Sequence, residues 1–211
     1  MSGISAQGST LSISTGNGAA KTITAVTVGN PTILTIAAHG MSNGDVGPIS
    51  GLTGADAALL NGQTLVVTNK TTNTFAVNVD TTGKTITAGT GTFTPQLLTK
   101  INGVQSFSGL DGAAGELDTT DLDSAAMEYI AGLRDEGKFG YEFKVLNTDP
   151  GQLAVRAART SATVRSIKLL LPDNTSATFS VIVKSVPLTG ATNTVLKSSV
   201  DMKITGPVTF A

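Results

Sequence analysis

The 211-residue sequence contains no cysteine and no tryptophan. Without cysteine there is no thiol nucleophile, no disulfide and no thiolate zinc site, and the redox compartment is left open. Aromatic residues are only 4% of the chain, so a core has to be assembled from Val, Ile, Leu and Ala. Charged residues are equally sparse, at 14% against about 25% in ordinary globular domains. No stretch reaches the roughly 18 consecutive apolar residues of a spanning helix, and no basic segment followed by an apolar one opens the chain. A product that is cytosolic when made, with no membrane span, is therefore expected. A net charge of -1 argues against a surface that grips nucleic acid by displacing counterions, which needs a basic excess.

What is abundant is β-rich in character. Threonine, serine and glycine fill the places that charges leave, and 40% of residues are hydrophobic, enough for one or two compact domains. The small net charge hides a polarised distribution. Residues 102–136 hold Asp111, Glu116, Asp118, Asp121, Asp123, Glu128, Asp135 and Glu136 against the single base Arg134. Residues 137–211 hold nine Lys or Arg against Glu142, Asp149, Asp173 and Asp201. One surface can be built to meet the other on a neighbouring copy; a solvated loop beside solvated strands is the plainer alternative.

Hydrophobic periodicity divides the chain. Ser9–Thr15 alternates like a strand, and Gly16–Ala20 reads as a linker. From Lys21 to Thr94 short β-branched runs (Ile23–Val28, Thr32–Ala37, Thr64–Thr68, Thr74–Val79, Thr85–Phe93) are separated by turn formers such as Asn30-Pro31, Asn43-Gly44 and Asn61-Gly62. That pattern predicts a small all-β module. Beyond Pro95, Leu97–Ile101 and Val104–Ser108 flank Asn102-Gly103 and read as a hairpin. Met127, Ile130 and Ala131 stand at helical spacing behind a capping Asp123 or Ser124, which predicts a short helix over 124–133. Phe139, Tyr141, Phe143 and Val145 alternate with polar residues or glycine, as in a strand with one buried face. Asp149-Pro150-Gly151-Gln152 has a cap acceptor, a tolerated first-turn proline and a capping-box glutamine, and so starts a helix over 153–159. Strands follow over 165–171, 177–186 and 195–205.

Motifs that suggest chemistry fail on context. Gly40-Met41-Ser42-Asn43-Gly44 has the spacing of a nucleophile elbow and His39 adjoins it. An elbow needs a helix after the serine, however, and Asp45-Val46-Gly47-Pro48 cannot supply one. Gly83-Lys84-Thr85 resembles the end of a phosphate loop, but Asn78 stands where its first glycine belongs. Asp118, Asp121 and Asp123 could gather around calcium, yet Ala126 occupies the position an EF-hand loop gives to glycine. No cofactor, metal or catalytic residue is expected.

Glu116-Leu117-Asp118-Thr119-Thr120-Asp121-Leu122-Asp123-Ser124 with Tyr129-Ile130-Ala131-Gly132-Leu133, preceded by Ile101-Asn102-Gly103-Val104, resembles the major tail tube proteins of long-tailed bacteriophages. The aromatic strand 137–145, Asp149–Gln152, Leu171-Pro172-Asp173 and Lys203-Ile204-Thr205-Gly206-Pro207 follow in that family's order. The resemblance covers about two thirds of the chain. Residues 22–94 do not belong to it; His39–Asp45, Leu60-Asn61-Gly62 and Asn73-Thr74-Phe75 are similar to a small β-barrel module of phage structural proteins, akin to the half-domain of ubiquitin-activating enzymes (FCCH-like), here without a cysteine.

The resemblance implies a mainly β fold: a tail-tube β-sandwich or barrel with two short helices formed by residues 1–21 and 95–211, with 22–94 inserted as a decoration domain. It implies a structural virion protein, assembled in the host cytoplasm, whose six copies form rings that stack into a tube. Partners would be other copies, a tape-measure protein, and tail terminator and tip proteins; DNA would pass through the lumen without specific binding. Candidate inter-subunit contacts are Glu116, Asp118, Asp121 and Asp123 against Arg156, Arg159 and Arg165. A cell-surface adhesin module shares the composition and is the competing reading.

Overall fold

A computed structural model of the chain describes residue 3 and residues 5–211; Met1, Ser2 and Ile4, at the head of the 1–21 segment, lie outside them. The first strand is β1, Thr10–Asn17. Seven short strands follow: β2 Lys21–Thr22, β3 Ala25–Thr27, β4 Thr32–Thr35, β5 Val46–Ser50, β6 Thr64–Val66, β7 Thr74–Val77 and β8 Thr92–Phe93. Then come β9 Gln96–Ile101, β10 Val104–Gly109, β11 Ala113–Asp118, β12 Tyr129–Asp135 and β13 Lys138–Lys144, the helix α1 Pro150–Ser161, and β14 Arg165–Leu170, β15 Ser176–Ser185, β16 Leu188–Thr189 and β17 Lys197–Phe210.

One antiparallel sheet in the order β10-β13-β17-β15-β14-β1-β9, with β16 beside β17, organises most of the chain. Period-two burial explains why. Phe139, Tyr141 and Phe143 of β13 point inward with Val200, Met202 and Ile204 of β17, while Lys138, Glu142, Lys144, Lys197 and Asp201 take the other face. Ile13 of β1, Ile167 of β14 and Phe179 of β15 complete the core, and Val155 and Ala158 of α1 seal it. Packing of this kind, at about 1.5–3 kcal/mol for each large apolar side chain, is the main support available to a chain without disulfides.

The helix starts as its sequence dictates. The Asp149 carboxylate accepts from the Gln152 amide at 2.9 Å, Pro150 occupies the first turn, and Ala162 ends the helix in the left-handed region at φ 51°. Gln152, however, does not close a capping box. Its Oε1 accepts from the Leu146 amide at 2.8 Å, and its Nε2 donates to the carbonyls of Asn102 and Lys144 at 2.8 and 2.9 Å. Asn102 Nδ2 in turn donates to Asp149 Oδ2 at 2.7 Å. This node corrects the expected 97–108 hairpin. β9 and β10 both form, but β9 pairs with β1 and β10 with β13, so they lie at opposite margins of the sheet. The Asn102-Gly103 turn is drawn toward α1 and the end of β13, and it carries the chain around a corner instead of folding β10 onto β9.

β1 and β9 pair with each other directly, and Gly18 N donates to Pro95 O at 2.7 Å. Everything between them is thus looped out from adjacent points. Its strands form sheets of their own, β2-β8-β5-β6 and β3-β4-β7, around Leu34, Ile49, Leu60, Phe75 and Phe93. β5 was not foreseen, because Pro48 reads as a strand breaker; it is tolerated where its carbonyl still accepts from Thr94 N at 3.0 Å. The expected 85–93 strand shrinks to β8.

This segment is tied to the polar face of β14 and β15. Lys168 Nζ donates to Asn43 O and Asp45 Oδ1, both at 2.8 Å, and Thr178 Oγ1 donates to Gly44 O at 2.8 Å. Gly44 sits at φ 80°, and a Cβ there would collide with the Ser176 hydroxyl. Gly44→Ala should therefore destabilise the protein by about 1–3 kcal/mol, read as a lowered midpoint in thermal denaturation. Gln152→Leu keeps the side-chain volume but strands three partly buried backbone groups, and should cost about 1–3 kcal/mol in denaturant titration.

Candidate functional site

The acidic region expected to hold a helix is a two-stranded hairpin. β11 and β12 pair antiparallel (Ala113↔Asp135, Glu116↔Ala131, Leu117↔Ile130, Asp118↔Tyr129), with an irregularity between Ala114 and Glu116. The 124–133 helix is overturned for two reasons. Its apolar residues have no core to face: Met127 is 69% and Ile130 55% exposed. Its supposed caps also bind locally. Thr120 N donates to Asp118, Asp123 N and the Ser124 hydroxyl donate to Asp121, and Glu128 N donates to the Thr120 hydroxyl. Short polar side chains that capture nearby amides favour turns over helix interiors. Among the described residues the helical structure is α1 and the 3-10 turn Ala57–Leu59, and the mainly β class stands.

Every residue of β11 is exposed, as are all but one of β12. Leu117, Tyr129 and Leu133 project with their backbones paired only to each other, and Leu122 at the tip is entirely exposed. The base, in contrast, is fixed. Both Asp135 oxygens accept from Lys203 Nζ at 2.6 Å, Asp135 also accepts from Gly137 N, and Asp111 accepts from Lys138 N at 3.0 Å. The bond to Lys203 leads in holding the Asp135 carboxyl below its usual range, and the Lys138 amide does the same for Asp111. At the tip, Thr120 lowers Asp118 through its hydroxyl and its amide.

The acidic candidates Glu116, Asp118, Asp121 and Asp123 are exposed on this hairpin and enter no ion pair among the described residues. Arg159 is exposed on α1, with Arg156 and Arg165 partly so, and Arg165 Nε is buried without a hydrogen-bond partner. A single copy does not bring the two sets together. Strand register adds basic residues that sequence reasoning missed: Lys138 lies opposite Lys203, and Lys144 opposite Lys197. No local signal announces such pairs, because the partners come from strands far apart in sequence.

The nucleophile-like motif is a structural turn. His39 is buried, with Nδ1 accepting from Met41 N at 3.0 Å and Nε2 facing Thr74 O at 3.3 Å, its ring edge-on to Phe75. Both nitrogens are engaged, so neither can take a proton from the exposed Ser42. Lys84 lies 3.9 Å from Asp56, and no helix follows it. Among the described residues no three His, Asp or Glu side chains gather as a metal-binding group, and no helix is long and apolar enough to cross a membrane.

The site is therefore a protruding two-stranded hairpin with exposed apolar and acidic side chains and no third strand beside it among the described residues. Residues 65–154 match a family model described as "Phage tail tube, TTP, lambda-like", a family of structural proteins and not of enzymes. The match runs from β6 through the hairpin to the first turn of α1. No curated protein matches the chain. Among solved structures it is similar to a chain in the tail of an empty gene transfer agent particle with C6 symmetry (19% identity, TM-score 0.47, covering 54% of this chain and 86% of that one). It is also similar to a chain in the virion of a native gene transfer agent particle (18%, 0.48, 54% and 88%). A third likeness is to a chain in the six-fold symmetrised baseplate of the anti-feeding prophage (16%, 0.42, 55% and 84%).

Because the Asp135 carboxyl is depressed in the folded state, its contribution is present above the unfolded value and is lost as pH falls through the folded one. Asp135→Asn should reproduce that loss at neutral pH. Amide exchange should accelerate across Ala113–Asp135 while β13 and β15 keep their protection.

Proposed function

We propose that this chain is the repeating subunit of a bacteriophage tail tube, six copies forming a ring and rings stacking around a channel for DNA. The observation that carries the reading is the β11–β12 hairpin. An isolated two-stranded ribbon is marginal in water, and this one exposes Leu117, Leu122, Tyr129, Ile130 and Leu133. Such a surface is consistent with a subunit that gains its remaining burial from identical neighbours. The match of residues 65–154 to a tail tube model points the same way.

In this reading the free margins of β9 and β10 pair with adjacent copies, which removes the aggregation hazard of open edges. Glu116, Asp118, Asp121 and Asp123 meet basic residues of a neighbour, with Arg156, Arg159 and Arg165 as candidates; charge complementarity of this sort sets register more than affinity. The looped-out segment 22–94 is an inserted module on the tube exterior, where its bulk obstructs neither channel nor stacking. A tape-measure protein inside the tube and proteins at its two ends complete the set of partners, and the mature location is the virion tail.

Electron microscopy of the purified chain at rising concentration tests this. Hollow tubes or rings of uniform width are expected for the intact chain. A variant in which residues 114–134 are replaced by a short Gly-Ser turn should remain folded and monodisperse. Isolated particles from the intact chain at every concentration would exclude the tube and favour an adhesin-like module.

A further inference from the structure

Four Asn-Gly dipeptides occur in the chain: Asn17-Gly18, Asn43-Gly44, Asn61-Gly62 and Asn102-Gly103. Each carries the same latent chemistry. Glycine has no Cβ to keep its backbone nitrogen away from the preceding side chain. Once that nitrogen has given its proton to a base in solvent, it can attack the asparagine Cγ. The new N–Cγ bond closes a five-membered imide, the Cγ–Nδ2 bond breaks, and Nδ2 takes a proton from solvent and leaves as ammonia. Water then opens the ring at one of its two carbonyls, which leaves aspartate or isoaspartate. The net reaction consumes one water and releases one ammonia, with nothing oxidised or reduced.

The fold restrains three of the four sites at the attacking atom. Losing an amide proton first requires breaking whatever bond the N–H makes. Gly18 N donates to Pro95 O at 2.7 Å, Gly44 N to Val67 O at 2.8 Å and Gly62 N to Ile49 O at 2.8 Å. Two of these sites are also held at the group under attack. Asn43 Oδ1 accepts from Lys70 N at 3.1 Å, and Asn61 Oδ1 accepts from Leu52 N at 3.0 Å while Asn61 Nδ2 donates to Leu52 O at 2.8 Å.

The fourth site is different. Among the described residues Gly103 N donates to no acceptor, and Asn102 Oδ1 accepts from no donor. Asn102 is exposed and Gly103 half-buried, so water reaches the turn. The Asn102 side chain is held only through Nδ2, which donates to Asp149 Oδ2 at 2.7 Å. That bond lies on the nitrogen that departs, and it restrains neither the nitrogen that attacks nor the carbonyl that is attacked.

We infer that Asn102 is a self-modification site of the folded chain, converted to aspartate or isoaspartate by Gly103 N ahead of the other three asparagines. The consequence falls on the node that parts β9 from β10. Conversion replaces the Nδ2 donor by a carboxylate oxygen, so that two carboxylates face each other where Asn102 and Asp149 now share a hydrogen bond. Isoaspartate in addition lengthens the backbone of the turn by one atom. Conversion at this position thus loosens the corner with time, and it does so whether or not the chain builds a tube.

The purified full chain is held at mildly alkaline pH, one portion folded and one in guanidinium chloride, and sampled over time by peptide mass mapping, with isoaspartate counted by an isoaspartate methyltransferase. In guanidinium the four sites should convert at similar rates. In the folded portion Asn102 should lead each of the others by about tenfold, the order of one net hydrogen bond. Chains converted at this position separate from intact ones by their added negative charge, and should unfold at a lower denaturant midpoint; Asn102→Asp should shift the midpoint in the same direction. The time course itself needs no variant, so it stands even if Asn102→Asp fails to fold. Folded chain in which Asn17, Asn43 or Asn61 converts as fast as Asn102, or in which Asn102 persists while the denatured portion is consumed, overturns the site. Converted chain with an unchanged midpoint overturns its effect on the node.

Discussion

Asp149 and Gln152 hold the molecule in the arrangement on which its other features depend. Both side chains are buried, and between them they bind the Asn102 side chain and carbonyl, the Leu146 amide and the Lys144 carbonyl while starting α1. Two consecutive strands joined by Asn-Gly would ordinarily close into a hairpin and satisfy each other. Here the turn is bound to the helix, so β9 and β10 part and become the two margins of one sheet. Each margin keeps a row of unpaired backbone groups, and a chain with so few charges has little else to keep those edges from one another. An exposed edge that is not blunted makes sense when another copy covers it.

The electrostatics follow a related division. Fully compensated charges are those that fix internal geometry: Lys168 with Asp45 seats the 22–94 segment, and Lys203 with Asp135 fixes the hairpin base. Among the charges left over, acids cluster on the hairpin beyond Lys138, and Lys144 and Lys197 stand opposite each other at the other end of β13. Surface ion pairs add little to stability, so their segregation has little value for folding one copy. It has value for orientation, since like ends repel and unlike ends attract during encounter.

Much of this was legible in the residues. Period-two alternation located β13, β14, β15 and β17, and the Asp149-Pro150 signal located α1, because in each case local pattern and burial agree. The short runs between Lys21 and Thr94 read as strands separate from the rest, and their cores are separate in space. The failures share a cause. Met127, Ile130 and Ala131 have helical spacing, but spacing specifies a helix only when a core awaits its apolar face, and none exists beyond the hairpin base. Asn102-Gly103 has hairpin grammar, but Gln152, fifty residues on, takes the turn elsewhere. The Lys144–Lys197 pair depends on register between distant strands, which no local pattern encodes.

The hairpin's disagreement with local rules is itself informative. A sequence that specifies one structure usually has propensity, patterning and burial in accord, and departures gather where function requires them. Residues 113–135 depart on every count: apolar side chains without a core, helix spacing on a strand, and uncompensated acids. The base is nevertheless held by Asp111, Asp135 and Lys203, so the ribbon is aimed and not merely loose. Ordering a projecting ribbon in advance lowers the entropy lost on docking against a partner. The proposed tube subunit would use that advance ordering to add to its neighbours in one orientation.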